Sequence, residues 1–404
     1  MKNQERRLIL AASLPPDQSD IDQLRLYKNA GFNLLHMTED FVLSCSKAYF
    51  DCLKYAEEVG LNVYVKEHLD PYYWSKHFSH VDFDEYPAVT GLYMVDEPSK
   101  EDLYLLAKEH VPFFKAKAEK SGKAFIVNTY CGEVTYFGGP ASDYLDKMME
   151  LVYNKLDTDN KYLSIDEYPL RRSTHGNYME DKEWVPYTAL TAKKCRDNGV
   201  RFGSYIQAFG GGYCDARRPL CIEELRFVVY LNLAFGAQYL DYFIYRTSHK
   251  WDFMGMVSEA GTPNELYYLV KQLNEELLSF DREYLSYGWK GALVVDGARN
   301  ETPNKPFSKT REFLGYEDKE LTVEKAEKDL IVGCFEKDSS SRAYIIISYG
   351  EPTVREGNIV ELTFQTAKKL SIRRNGVEEL VEVNDGKLTL EMKQGEGIFI
   401  QTLK

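Results

Sequence analysis

The chain has 404 residues, enough for one large domain and a small one, since an eight-fold barrel takes roughly 250. Its hydrophobic fraction of 44% and charged fraction of 28% are those of a globular protein with a sizeable core. A formal net charge of −13 argues against a nucleic-acid or anionic-membrane partner, because both select a basic surface.

The first predicted element is the apolar run Leu8–Leu14, stopped by Pro15 and Pro16. It is too short for a signal-peptide core and serves better as a strand. Seven further short β-rich runs follow: Asn33–Met37, Asn62–Val65, Gly91–Val95, Ala124–Thr129, Tyr162–Ile165, Arg201–Ile206 and Tyr239–Tyr245. Between them lie stretches with helical spacing, namely Ile21–Ala30, Ala48–Val59, Ser142–Leu156, Trp184–Asn198, Ile222–Phe235 and Asn264–Phe280. Gly31, Gly60, Gly122, Gly199 and Gly236 stand where such helices end. Strands alternating with helices imply a parallel sheet covered by helices. Eight units close into a (β/α)₈ TIM barrel. An open doubly wound sheet is the alternative, but no Gly-rich phosphate turn follows the first strand. The stretch Asp70–Val89 has no helical period and either caps the open end of the barrel or replaces a degenerate helix.

The texture changes near Leu293. A polar stretch from Asn300 to Lys328 leads into alternating runs at Leu330–Phe335, Arg342–Ser348, Ile359–Phe364, Leu370–Arg373, Glu378–Val383, Leu388–Met392 and Gly397–Thr402. Asn375-Gly376 and Asp385-Gly386 supply the positive φ angles of tight hairpins. The expected organisation is a barrel over residues 1–292 and a small antiparallel β-sandwich over 293–404. Seven cysteines show no CxxC pair and no framework spacing, which favours reduced thiols and a cytoplasmic location. No apolar stretch approaches the ~20 residues of a membrane span.

Barrel chemistry sits where strands end. Strand two offers Glu39 and Asp40 there, strand three Glu67 and His68, and strand four Asp96-Glu97-Pro98. Strand five offers Asn128, Tyr130 and, further out, Glu133; strand six offers Asp166-Glu167-Tyr168-Pro169. Strand seven brings Gln207 and strand eight Tyr245 and Arg246. Carboxylates gathered at neighbouring strand ends repel one another, a cost that marks a working site. The segments LYMVDEPS (92–99) and YLSIDEYPL (162–170) each end an apolar strand in Asp-Glu and then a proline. Proline fixes the chain and holds the carboxylates before it. Alternation from Ser164 puts Asp166 on the inner face, although a turn at the strand end would let Glu167 reach the mouth. For Asp96 and Glu97 alternation favours neither.

With this framework, LYMVDEPS, and the segment Arg218–Tyr245, the sequence resembles the (β/α)₈-barrel glycoside hydrolases of clan A, especially its β-galactosidase-like members with trailing β domains. The resemblance implies a carbohydrate substrate and acid/base catalysis by two carboxyl groups, with no cofactor or metal. It gives Glu97 the acid/base role, with Asp96 where the family has Asn. At the strand-seven position of the family's nucleophilic Glu this chain has Gln207, so the second carboxylate is sought on strand six, as Asp166 or Glu167. Their separation from Glu97 decides the outcome: ~5 Å for retention, ~6.5–9.5 Å for inversion. Asp96, His68, Asn128, Tyr130, Tyr205, Gln207 and Tyr245 are the expected sugar contacts, with Trp74 and Trp251 as stacking platforms.

Two alternatives stand beside this reading. One is a metal-dependent barrel enzyme using His36, Glu39, Glu67, His68, Asp96 and Asp166, without HxH or HExxH spacing to support it. The other is a carbohydrate-binding protein on a hydrolase scaffold, suggested by Gln207. Whether the chain forms a homo-oligomer is left open.

Overall fold

The computed structural model describes residues 6–37, 47–66, 83–130, 140–173, 176–179, 182–211, 220–299, 305–354 and 356–403. Eight parallel strands form one sheet: β1 (Ile9–Ala12), β2 (Leu34–His36), β3 (Asn62–Lys66), β4 (Val89–Asp96), β5 (Ala124–Tyr130), β6 (Lys161–Asp166), β7 (Arg201–Gln207) and β8 (Tyr239–Phe243). Their order is β1-β8-β7-β6-β5-β4-β3-β2, which brings the first two strands of the chain to the seam. Asn33 closes that seam. Its backbone N donates to the Leu10 carbonyl at 3.0 Å, and its side chain accepts from Leu10 N at 2.9 Å and donates to the Leu8 carbonyl at 2.7 Å.

Side-chain alternation divides the barrel into two apolar regions. Outward residues such as Leu10, Leu35, Val63, Leu92, Phe125, Leu163, Phe202 and Leu240 pack under the helices. Tyrosine dominates the inward residues: Ala11, Leu34, Tyr64, Tyr93, Ala124, Ile126, Tyr162, Tyr205 and Tyr239. Gly91 and Gly203 make room for this filling, since a Cβ on either would collide with the Tyr64 or Tyr239 ring. One strand breaks the alternation. Tyr93 pairs with Ile126 but Val95 pairs with Val127, so β4 carries an extra residue at this point. Met94 and Val95 both face the helices, and Asp96 returns to the inner face opposite Asn128.

The polar stretch expected between the domains holds a helix, Lys305–Leu314, and a strand, β10 (Leu321–Ala326). The helix packs on Trp184–Asp197, with Lys309 Nζ donating to Tyr187 Oη at 2.6 Å. The first strand of the second sheet, β9 (Gly288–Val295), starts before the expected boundary, which falls inside it. The remaining strands are β11 (Leu330–Asp338), β12 (Ser341–Ser348), β13 (Gly357–Phe364), β14 (Lys369–Arg374), β15 (Val377–Glu382), β16 (Lys387–Lys393) and β17 (Gly397–Leu403). A six-stranded antiparallel sheet, β9-β11-β12-β17-β14-β15, faces a three-stranded one, β10-β13-β16, across a core of Val332, Tyr344, Ile346, Leu362, Leu390 and Ile400. The back of the larger sheet rests on helix Ile222–Ala234, where Gly333 leaves no space for a Cβ against the Ala234 carbonyl. Trp289 Nε1 donates to that same carbonyl at 2.9 Å. Among the described residues no helix is long and apolar enough to cross a membrane.

Candidate active site

The site begins at the bulge in β4. With the extra residue absorbed, Asp96 points inward, where its Oδ1 accepts from Tyr93 Oη at 2.9 Å and Asn128 Nδ2 at 3.0 Å. Asn128 is locked in turn, its Oδ1 accepting from Ser164 Oγ at 2.8 Å. The next residue, Glu97, has φ 45°, a left-handed backbone that costs a non-glycine residue roughly 1–3 kcal/mol. Its N–H bonds to the Asn128 carbonyl at 2.9 Å, extending the β4–β5 ladder by one position. Two residues on, Ser99 and Asp102 cap helix Lys100–Leu105 reciprocally. Glu97 is therefore held between a strand end and a capped helix start, on the solvent-exposed rim of the mouth.

From β6, Asp166 arrives at the same place, level with Tyr130 of β5. The Glu97 and Asp166 carboxyl groups are close enough to shift one another's proton affinity. Like charges this near one another disfavour ionisation of both. Burial and the charges of Glu97 and Asp96 push Asp166 well above the usual carboxylate range. Burial and then the Asp96 charge raise Glu97 as well. Asp166 Oδ1 is buried, and among the described residues none donates a hydrogen bond to it. Of the two strand-six acids, Asp166 is the one that meets Glu97. Glu167 lies half-buried one residue past the end of β6.

Beneath these acids a polar network crosses the barrel. Tyr93 Oη and Tyr205 Oη are 3.0 Å apart, and the Tyr205 hydroxyl lies near Ser13. Ser13 Oγ donates to Asp241 Oδ1 at 3.2 Å; Tyr239 Oη donates to Asp241 Oδ2 at 2.6 Å, with His36 Nε2 2.7 Å from the same oxygen. Asp241 is fully buried, a position no carboxylate holds without several such partners. Sequence reasoning passed over it. The signal was a lone acid at an inward register inside the apolar run Tyr239–Phe243.

Aromatic rings line the β6–β8 side. Tyr168 stacks on Phe243 with centroids 5.4 Å apart, and Phe209 meets Tyr168, Phe243 and Phe253 edge-on at 5.1, 5.3 and 5.0 Å. The ribbon Gly210–Gly211 with Phe253–Met254 carries part of this wall.

Several expected sugar contacts are used otherwise. Gln207 is fully buried; its Oε1 accepts from Leu170 N and its Nε2 donates to the Leu170 carbonyl, both at 2.9 Å. It fastens the segment leaving β6 to the end of β7, and its complete burial keeps it out of reach of a ligand. Tyr245 is also wrongly placed by the sequence reading. The β8 ladder ends at Phe243, and the Tyr245 ring turns into the helix-side core, edge-on to Tyr27 at 5.0 Å and Phe32 at 6.1 Å. Asn128 and Tyr205 are buried struts of the network. Tyr130 is 36% exposed and, with Asp96 and Glu97, opens onto the mouth. Glu39, Asp40, Glu67, His68, Trp74 and Glu133 lie outside the described residues, as does the Trp251 side chain. Among the described residues, no three His, Cys, Asp or Glu side chains are grouped to hold a metal ion.

No protein-family model matches the chain, and no curated protein matches it in sequence. Solved structures do. A β-galactosidase from Bacillus circulans sp. alkalophilus superposes with TM-score 0.60 over 99% of this chain and 100% of that one, at 8% identity. Gan42B, a GH42 β-galactosidase, gives 0.59 over 99% of both chains at 9% identity. The chain has their fold. An Anoxybacillus α-amylase is more distant, with TM-score 0.50 over 95% and 90% of the two chains at 11% identity. At such identities the likeness establishes the barrel with its trailing β domain and leaves the chemistry to the site.

Proposed function

We propose that the protein is a glycoside hydrolase in which Glu97 and Asp166 are the two reactive carboxyl groups. One observation carries this reading: the two carboxyl groups come together at a barrel mouth, from strands that flank β5, where burial and the Glu97 charge raise the proton affinity of Asp166. A carboxylic acid kept protonated beside an ionised partner is what glycosidic bond cleavage uses. Burial and flanking charge favour Asp166 as the proton holder, leaving the more exposed Glu97 as the carboxylate that faces the sugar. This exchanges the roles implied by the clan A resemblance.

Asp166 donates its proton to the glycosidic oxygen as the bond from that oxygen to the anomeric carbon breaks. A Glu97 oxygen attacks the same carbon to form a glycosyl ester. Water then gives a proton to Asp166 and attacks the anomeric carbon, which releases Glu97. This scheme requires the two carboxyl groups to stand ~5 Å apart around the sugar rather than the ~6.5–9.5 Å that admits a water between them. Gln207 no longer favours a binding protein that has lost its nucleophile, because its amide is committed to Leu170. The β-galactosidase fold neighbours make a β-galactoside the first substrate to try. Proton NMR of the fresh hydrolysate of an aryl β-galactoside tests the scheme. Retained anomeric configuration in the first product supports it; inversion, or no hydrolysis of aryl glycosides of any common hexose or pentose, refutes it.

A further inference from the structure

Across the mouth from the carboxyl pair, the exits of β1 and β8 enclose a hollow of about 280 Å³ lined by Leu14, Arg246, Thr247, Ser248 and Glu259. Arg246 N donates to the Leu14 carbonyl at 3.1 Å, one step beyond Ser13, whose hydroxyl belongs to the network under the site. The hollow is therefore on the reactive end of the barrel. Its frame is rigid: Arg246 bridges to Val257, Ser248 to Phe253, and Val257 to Pro263.

Two features of this frame are costly without a ligand. Leu14 has φ 48°, a left-handed backbone in a bulky residue, and leaves its side chain 39% exposed over the hollow. Arg246 is half-buried, yet among the described residues none accepts a hydrogen bond from its guanidinium. A partly desolvated cation with five unused donors calls for acceptors. The hollow is not a simple anion trap, because Glu259 sits in its wall and Asp17 is near enough to feel the Arg246 charge. Glu259 is fixed by accepting from His249 N at 3.0 Å. Donors from Arg246 and Ser248, an acceptor in Glu259 and an apolar Leu14 face together match a neutral sugar ring, which presents hydroxyls at its edge and C–H groups on its face.

We infer that Leu14, Arg246, Ser248 and Glu259 form a second sugar subsite, so that the substrate is an oligosaccharide reaching beyond the bond that is cut. This rests on the glycosidase reading for the identity of the ligand and is tested apart from turnover. Galactotriose is titrated calorimetrically into the full-length Glu97→Gln protein and into Glu97→Gln/Arg246→Ala, with galactose as the short probe. At least tenfold weaker trisaccharide binding in the double variant, with galactose affected less than threefold, supports the subsite. Equal trisaccharide affinity in the two proteins, or no binding by either, overturns it. The Arg246 side chain has no described protein partner to lose, so matched melting temperatures show that the variant is folded. If the wild type hydrolyses no aryl glycoside of any common hexose or pentose while the tenfold difference persists, the catalytic proposal fails and the subsite stands.

Discussion

Glu97 and Asp166 are separated by 69 positions in the chain, yet their carboxyl groups act on each other's proton affinity. The approach depends on three local devices: the extra residue in β4, the left-handed backbone at Glu97 and the inward register of Asp166 beside Tyr130. Together they gather three carboxyl groups at one end of the barrel, and their costs fall on the same few residues. That pattern belongs to a site under functional constraint rather than to a framework.

Gln207 stands where the clan A resemblance leads one to expect a nucleophile, but its contacts here are mechanical. Gln207→Ala leaves the Leu170 N–H and carbonyl without partners in a buried place and should cost about 2–4 kcal/mol. Gln207→Glu should also destabilise, because a carboxylate accepts from the Leu170 N–H but opposes its carbonyl oxygen. Chemical denaturation measures both, and turnover by Gln207→Glu above the wild-type level would contradict this assignment.

Tyr245 supplies the opposite case. Its hydroxyl is buried without a hydrogen bond, and its ring is part of the helix-side core. Tyr245→Phe removes an unsatisfied polar atom and keeps the packing, so stability should hold or rise by up to about 1 kcal/mol. Sugar affinity should be unchanged. A tenfold loss of affinity on calorimetry would return Tyr245 to the site.

These two residues show what the amino-acid sequence could not convey. Alternating strands and helices, with glycines after the helices, were enough to read the eight barrel strands, and Asn-Gly and Asp-Gly marked hairpins of the β domain. The two-residue period also put Ser164 and Asp166 on one face of β6. It failed where a local irregularity resets the register. The extra residue at Met94–Val95 turns Asp96 inward, and nothing in LYMVDEPS announces it. Beyond Phe243 the ladder stops, and Tyr245 no longer follows the inward parity of Tyr239 and Asp241. The helix Lys305–Leu314 was hidden in a charged stretch because only Phe307, Thr310 and Leu314 are buried. The approach of Glu97 to Asp166 is long-range and had no local signature.

The raised proton affinity of Asp166 carries a stability consequence. Its folded pKa lies above the unfolded value of about 3.9, so the native state binds the extra proton between the two. Stability from this group is complete below the unfolded pKa and is lost as pH rises through the folded one. Asp166→Asn does not titrate and should melt higher than wild type at pH 7, with the gap closing toward pH 4. Thermal unfolding followed at both pH values checks it; a variant that melts lower than wild type at pH 7 contradicts the burial argument.

The central claim is that one protonated carboxyl and one carboxylate act as a unit. Turnover of an aryl β-galactoside by Glu97→Gln, Asp166→Asn and the double variant tests it most directly, with circular dichroism confirming the fold of each. The expected result is a loss of about 10²–10⁴-fold in kcat for either single change and no further comparable loss in the double variant. Wild-type kcat in either single variant would contradict the account.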